Sequence, residues 1–130
     1  MAERPLSPHL TVYRWAYTMT LSILHRISGV ALSAAMLGLV LWLVAASLGA
    51  PAYDALLPLL TSVPAKILNS LAVLALIYHF GNGLRHLAWD IGLGFERGQA
   101  RGSAAVVISA TVLLTALCVY FVFRHGAVAP

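Results

Sequence analysis

Charge is what this sequence has least of. Asp, Glu, Lys and Arg make up 9% of its 130 residues, and only 4 of these are acidic. A water-soluble domain needs roughly a quarter of its residues charged to solvate its surface. A soluble enzyme, a nucleic-acid-binding domain and a disordered tail are therefore excluded. Its single cysteine, Cys118, excludes a disulfide framework and a cysteine-based zinc site within the chain. No carboxylate falls within a long apolar run: Glu3, Asp54, Asp90 and Glu96 all lie in ends and connections. That argues against a small proton-coupled transporter, which would carry an acidic group within a span. What remains is apolar, at 61% of residues. Residues 1–130 read as one membrane domain.

The charged residues mark off three uncharged runs. There are 27 residues between Arg26 and Asp54, 18 between Lys66 and Arg85, and 22 between Arg101 and Arg124. A helix needs about 20 to cross a bilayer core. The expected fold is all-α, with spans near 22–48, 64–88 and 103–123 after an N-terminal segment of residues 1–21. The runs lack the alternation of a membrane β-barrel strand. Gly49-Ala50-Pro51 is expected to stop the first span. Thr61 to Pro64 offers a capping hydroxyl and a first-turn proline for the second. Gly92 and Gly94 break the second span after Asp90, and Gly98 to Ser103 reads as a loop.

The first apolar run is longer than the roughly 7–15 residues of a signal-peptide core, so it reads as a retained span. The absence of an arginine- and serine-rich transit peptide favours a bacterial or mature chain. Arg4, Arg14 and Arg26 precede the first span, and Arg85, Arg97 and Arg101 flank the second connection. Only Lys66 and Arg124 sit on the other side. The positive-inside bias puts the N-terminus in the cytoplasm (or matrix) and the C-terminus in the periplasm or its equivalent. The expected location is the bacterial cytoplasmic membrane, or alternatively the mitochondrial inner membrane.

Two polar clusters interrupt the spans at that basic end. In the first, Ser22, His25, Arg26, Gly29 and Ser33 recur at three- and four-residue spacing, which places them on one helical face. A hydroxyl one turn from a guanidinium at the membrane boundary suits a carbonyl or carboxylate ligand with an apolar tail. Spacing alone leaves open that Arg26 only snorkels to lipid phosphates and that His25 faces water. In the second, His79 and His86 stand seven apart on one face, ~10 Å along the axis, with Gly83 between them. A planar macrocycle lying along a helix needs such a gap. His79 is a candidate iron ligand, and His86 or Arg85 candidate partners for propionates. Close helix packing around a hydrogen-bonded histidine is the alternative.

A six-coordinate haem needs two axial ligands, and His79 is the one histidine deep in a span. His25 and His86 lie at the surface, His9 in the N-terminal segment and His125 at the far end; Cys118 is at the wrong depth and reads as a small packing filler. A haem here takes its second ligand from another polypeptide or stays five-coordinate. Small-residue pairs on the first span (Gly29 with Ser33, Ala34 with Gly38, Ala45 with Gly49) offer close-packing faces.

At these clusters the sequence resembles the cytochrome b subunit of succinate dehydrogenase, respiratory complex II. The likeness is carried by Arg4 to Tyr13 (RPLSPHLTVY), Ser22 to Gly29 (SILHRISG) and His79 to Asp90 (HFGNGLRHLAWD). The resemblance implies that His79 is an axial haem b ligand, with the other supplied by a second small membrane-anchor subunit. It implies that Ser22 and Arg26 belong to a ubiquinone site near the docked iron–sulfur subunit. His25, Arg26 and His86 would then lie near the haem propionates. Flavin and iron–sulfur clusters would reside only in partner subunits, a flavoprotein and the iron–sulfur protein, and the family allows a trimer of heterotetramers. Membrane lipid surrounds the spans; no nucleic acid is involved.

On this resemblance Ser22 donates a hydrogen bond to a quinone carbonyl, and Arg26 stabilises the negative charge that develops on reduction. Two further readings fit the sequence: the anchor of a fumarate reductase running the reaction in reverse, and a structural anchor without redox role.

Overall fold

Four helices in sequence account for nearly all of the computed structural model, which describes residues 16–125. They are α1 (Tyr17–Ser47), α2 (Ala50–Thr61), α3 (Val63–Asp90) and α4 (Arg97–His125). The described residues contain no strand. The three long helices have 31, 28 and 29 residues. At 1.5 Å per residue they reach ~42–46 Å, more than the ~30 Å hydrocarbon core requires. All three are apolar enough to cross a membrane. The RPLSPHLTVY segment, and with it Arg4, His9 and Arg14, lies outside the described residues.

The junctions follow local chemistry. Gly49, at φ +94°, breaks the chain after α1, and Pro51 sits in the first turn of α2. A proline there loses nothing, because first-turn N–H groups have no partner within the helix. Ser62 accepts a hydrogen bond from the Ala65 N–H and caps α3, with Pro64 in its first turn. At the other end of α3, Leu93 N–H reaches the Ala88 carbonyl at 2.9 Å and Gly92 N–H the Trp89 carbonyl at 2.8 Å. That paired closure needs a left-handed residue, and Gly92 supplies it at φ +84°. The Trp89 indole N–H then donates to the Gly94 carbonyl and ties the connection down.

Three boundaries differ from the sequence expectation. First, α1 begins at Tyr17 rather than near 22. Second, the connection between the first two spans contains α2, which is too short at 12 residues to cross a bilayer and carries Pro58 inside it. Third, the expected loop from Gly98 to Ser103 is the opening of α4. Glycine is a weak helix former, costing about 1 kcal/mol relative to alanine. Here a tertiary contact overrides it: the Arg85 side chain donates to the Ala100 carbonyl and to Ser103 Oγ, gripping the first turns of α4.

α3 is the middle of the arrangement. α1 packs on one side of it and α4 on another, and among the described residues no Cα of α1 comes within 8 Å of one in α4. Among the described residues the buried apolar ones are Leu21, Ala100 and Ala104, while Val30, Leu37, Leu41, Ile67, Leu68, Val112 and Leu113 are all more than half exposed. Such a surface is stable only in lipid or against other apolar helices. Of the small pairs on the first span, Gly29 does receive a neighbour, but Gly38 has nothing within 4 Å and Gly49 lies beyond the helix end. Cys118, expected as a packing filler, is exposed on α4.

Candidate functional site: a histidine cluster between two spans

α1 and α3 are joined near the N-terminal end of α1 by side chains of α3 that reach backbone carbonyls of α1. The Tyr78 hydroxyl donates to the Leu21 carbonyl at 2.7 Å, and the Asn82 amide approaches the same oxygen at 3.5 Å. His79 Nδ1 lies 3.0 Å from the His25 carbonyl, one turn further along α1. Helical carbonyls retain a second lone pair after their own i+4 bond, which lets them accept these side chains. Residues 78, 79 and 82 therefore fix α3 in register against α1.

His79 Nδ1 also lies 3.1 Å from Ser28 Oγ. The Ser28 hydroxyl donates to the His25 carbonyl at 2.7 Å. Its proton is thereby committed, and it faces Nδ1 as an acceptor. A carbonyl oxygen can only accept. Nδ1 thus meets two acceptors and must carry the ring proton, which leaves Nε2 with its lone pair bare in the neutral imidazole. This arrangement fits a metal-ligating histidine, whose other nitrogen is normally tied to a carbonyl or similar acceptor.

The three sequence-predicted histidines of this region come together. The His25 and His79 rings stack with centroids 4.0 Å apart and planes within 12°. His25 and His86 are 5.2 Å apart, and His86 meets Trp89 edge-on at 5.1 Å. Among the described residues His25 Nδ1 is buried with no hydrogen-bond partner. A buried polar atom without a partner costs about 1–3 kcal/mol. These rings run in series and do not converge. Among the described residues no group of three His, Cys, Asp or Glu could hold a metal ion.

The glycine that shapes this cluster is not the one the spacing singled out. A β-carbon at Gly83 would lie 3.7 Å from His25 Cε1, an ordinary contact, so the gap between His79 and His86 is already bordered by His25. At Gly29 of α1 a β-carbon would lie 3.0 Å from His79 Cε1. The close approach of the His79 ring to α1 depends on that missing carbon.

The expected polar face of α1 divides. His25 and Gly29 turn toward α3, Ser22 is half-buried at the edge, and Arg26 and Ser33 are exposed. Ser33 folds its hydroxyl back to the Gly29 carbonyl. Arg26 therefore stands on the outer side of the histidine cluster, with its guanidinium open to a neighbour.

Arg85, a second candidate for pairing with propionates, is directed elsewhere. It is only 6% exposed and donates to Asn82 Oδ1 at 2.7 Å, Ser103 Oγ at 3.0 Å and the Ala100 carbonyl at 3.2 Å. Its guanidinium also lies 4.5 Å from the centre of the Trp89 ring, a cation–π contact. Arg85 is the clamp between α3 and α4. Ser28, 7% exposed, was not selected from the sequence as a site residue. The available signal was its spacing of three from His25, which puts both on one side of the helix.

The chain matches the family described as the succinate dehydrogenase/fumarate reductase transmembrane subunit over residues 1–118. It is 42% identical over 116 residues to the succinate dehydrogenase cytochrome b556 subunit of Rickettsia conorii, covering 88% of this chain and 90% of that one. It is also 42% identical over 117 residues to the mitochondrial succinate dehydrogenase cytochrome b560 subunit of Homo sapiens, covering 86% and 68%. The Bos taurus b560 subunit is 40% identical over 116 residues. With both polar signatures, two apolar spans and most of the third inside the matched region, this chain belongs to the succinate dehydrogenase/fumarate reductase transmembrane subunit family.

Proposed function

We propose that the chain is the cytochrome b anchor of a succinate:quinone oxidoreductase, holding one side of a haem b and contributing to a ubiquinone site. The observation that carries this reading is the pinned tautomer of His79: two acceptors at Nδ1 leave Nε2 free to ligate iron. When bound, a b-type haem supplies one-electron redox chemistry whose potential is set by its ligands and burial. His79 would hold the iron from this chain, and a second small anchor subunit would supply a further protein ligand. His25, with its unpartnered Nδ1, and His86 and Arg26 lie in the neighbourhood of the propionates.

Ser22 and Arg26 form the quinone-facing edge of α1. Succinate oxidation to fumarate on a flavoprotein subunit releases two electrons and two protons. The electrons cross the iron–sulfur subunit, and ubiquinone takes up two electrons and two protons to become ubiquinol. Ser22 donates a hydrogen bond to a quinone carbonyl. Arg26 offers a positive charge where negative charge develops on the quinone oxygen, an effect strengthened in a low-dielectric setting. The excess of basic residues at this end supports a cytoplasmic or matrix orientation, where the soluble subunits dock and protons are available. The assembled unit is a heterotetramer able to trimerise. The flavin and iron–sulfur clusters belong to its other subunits, and this chain is a non-catalytic-core subunit.

A dithionite-reduced minus air-oxidised spectrum of the detergent-extracted complex, isolated through this chain, tests the reading. The expected result is a sharp low-spin b-type band together with a second small subunit. An intact four-subunit complex without a haem band would overturn the haem assignment.

A further inference from the structure

We infer that Ser28 is a positioning residue for the iron ligand: together with one turn of α1 it decides which nitrogen of His79 is bare and how the imidazole ring is turned. The inference deepens, and rests on, the reading of His79 as an axial ligand.

Four constraints act on the ring, and all come from residues 25–29. The His25 carbonyl and Ser28 Oγ lie 3.0 and 3.1 Å from Nδ1. Flipping the ring would set a C–H against both oxygens and forfeit both bonds. The His25 ring covers one face at 4.0 Å. Gly29 allows Cε1 to approach so closely that an added β-carbon would lie 3.0 Å away. Ser28 is the only side chain among these that hydrogen-bonds to the ring. It acts twice, accepting from Nδ1–H while its own proton is held by the His25 carbonyl at 2.7 Å.

A partner that accepts from the distal nitrogen of a ligating histidine fixes its tautomer and raises its basicity. With the hydroxyl gone, Nδ1–H keeps one acceptor instead of two, and the ring can pivot toward the carbonyl. A less basic ligand favours ferrous over ferric iron, which raises the haem potential.

The test uses the whole complex carrying Ser28→Ala, Ser28→Cys (similar volume, poor hydrogen bonding) or Ser28→Thr (hydroxyl kept), with His79→Ala as control. Three quantities are read: haem per complex, midpoint potential, and the low-field g value of the oxidised haem. The expected result is that the Ala and Cys variants both shift to higher potential with a changed g value, and that Thr restores the parental values. Parental potential and g value in both Ala and Cys variants overturn the inference. A shift in Ala alone also overturns it, because volume rather than the hydroxyl would then matter. If Ala and Cys lose haem, retention by Thr supports the inference and loss by Thr overturns it. A His79→Ala complex with the parental spectrum defeats the ligand reading itself, whatever Ser28 does.

Discussion

The two helices that flank α3 meet it through opposite kinds of polar chemistry. Toward α4, Arg85 is buried and fully engaged, with hydrogen bonds to Asn82, Ser103 and the Ala100 carbonyl and a stacked contact on Trp89. Toward α1, Tyr78, Asn82 and Ser28 are hydrogen-bonded, but imidazole nitrogens are left over among the described residues: Nε2 of His79, and His25 Nδ1, which is buried without a partner. A polar group in a span is expensive, and a protein retains it either by satisfying it internally or by reserving it for something that binds. Around Arg85 the α3–α4 contact follows the first course and reads as structure, although further along α4 the Thr115 hydroxyl oxygen is buried without a hydrogen-bond partner among the described residues. The α1–α3 contact follows the second and reads as function. Gly81 fits the same division, since a β-carbon there would lie 3.3 Å from Val107 on α4, in a contact that serves packing.

Substitutions can break or sharpen this division. The largest effect is expected at the proposed quinone edge of α1. Arg26→Leu should lower succinate-driven quinone reduction by about 100-fold, the scale for removing one preorganised electrostatic group. Succinate oxidation by a soluble dye acceptor should remain close to parental, and parallel loss of both activities would point to failed assembly. On the structural side, Arg85→Met removes three hydrogen bonds from a charged donor and leaves Asn82 Oδ1 without that partner. A destabilisation of about 2–4 kcal/mol is expected, read as a lower thermal midpoint and yield of the detergent-extracted complex. The spectrum of what does assemble should be unchanged. The smallest effect belongs to Gly38→Ala on α1, where a β-carbon would meet nothing within 4 Å. Removing a mid-helix glycine should stabilise the chain by up to about 1 kcal/mol, measured the same way. A marked loss there would instead reveal a partner helix packed against that face.

The spans were legible because uncharged runs of bilayer length have few alternatives. α2 was not: its Asp54 and Pro58 look like a connection, and the helix exists because Gly49 and Ser62 bracket it. The start of α4 was hidden for a related reason. Gly98 and Gly102 argue locally for a loop, and what overrides them is Arg85, reaching from a different helix. The site shows the same limit. The shared face of His79 and His86 follows from a seven-residue spacing, but the bond between Ser28 and His79 joins residues 51 apart. Local periodicity identifies a face; it does not say which neighbour that face will meet. That is also why Gly83 drew attention that belonged to Gly29.

The most direct test compares His79→Ala with Arg85→Met in reduced-minus-oxidised spectra of the complex, normalised to this chain. The two residues lie six apart on the same helix, one facing α1 and the other α4. The account predicts that the sharp low-spin band disappears in His79→Ala and keeps its parental position and intensity per chain in Arg85→Met. A parental band in His79→Ala would contradict it, and would make the histidine face of α3 a packing surface like the other.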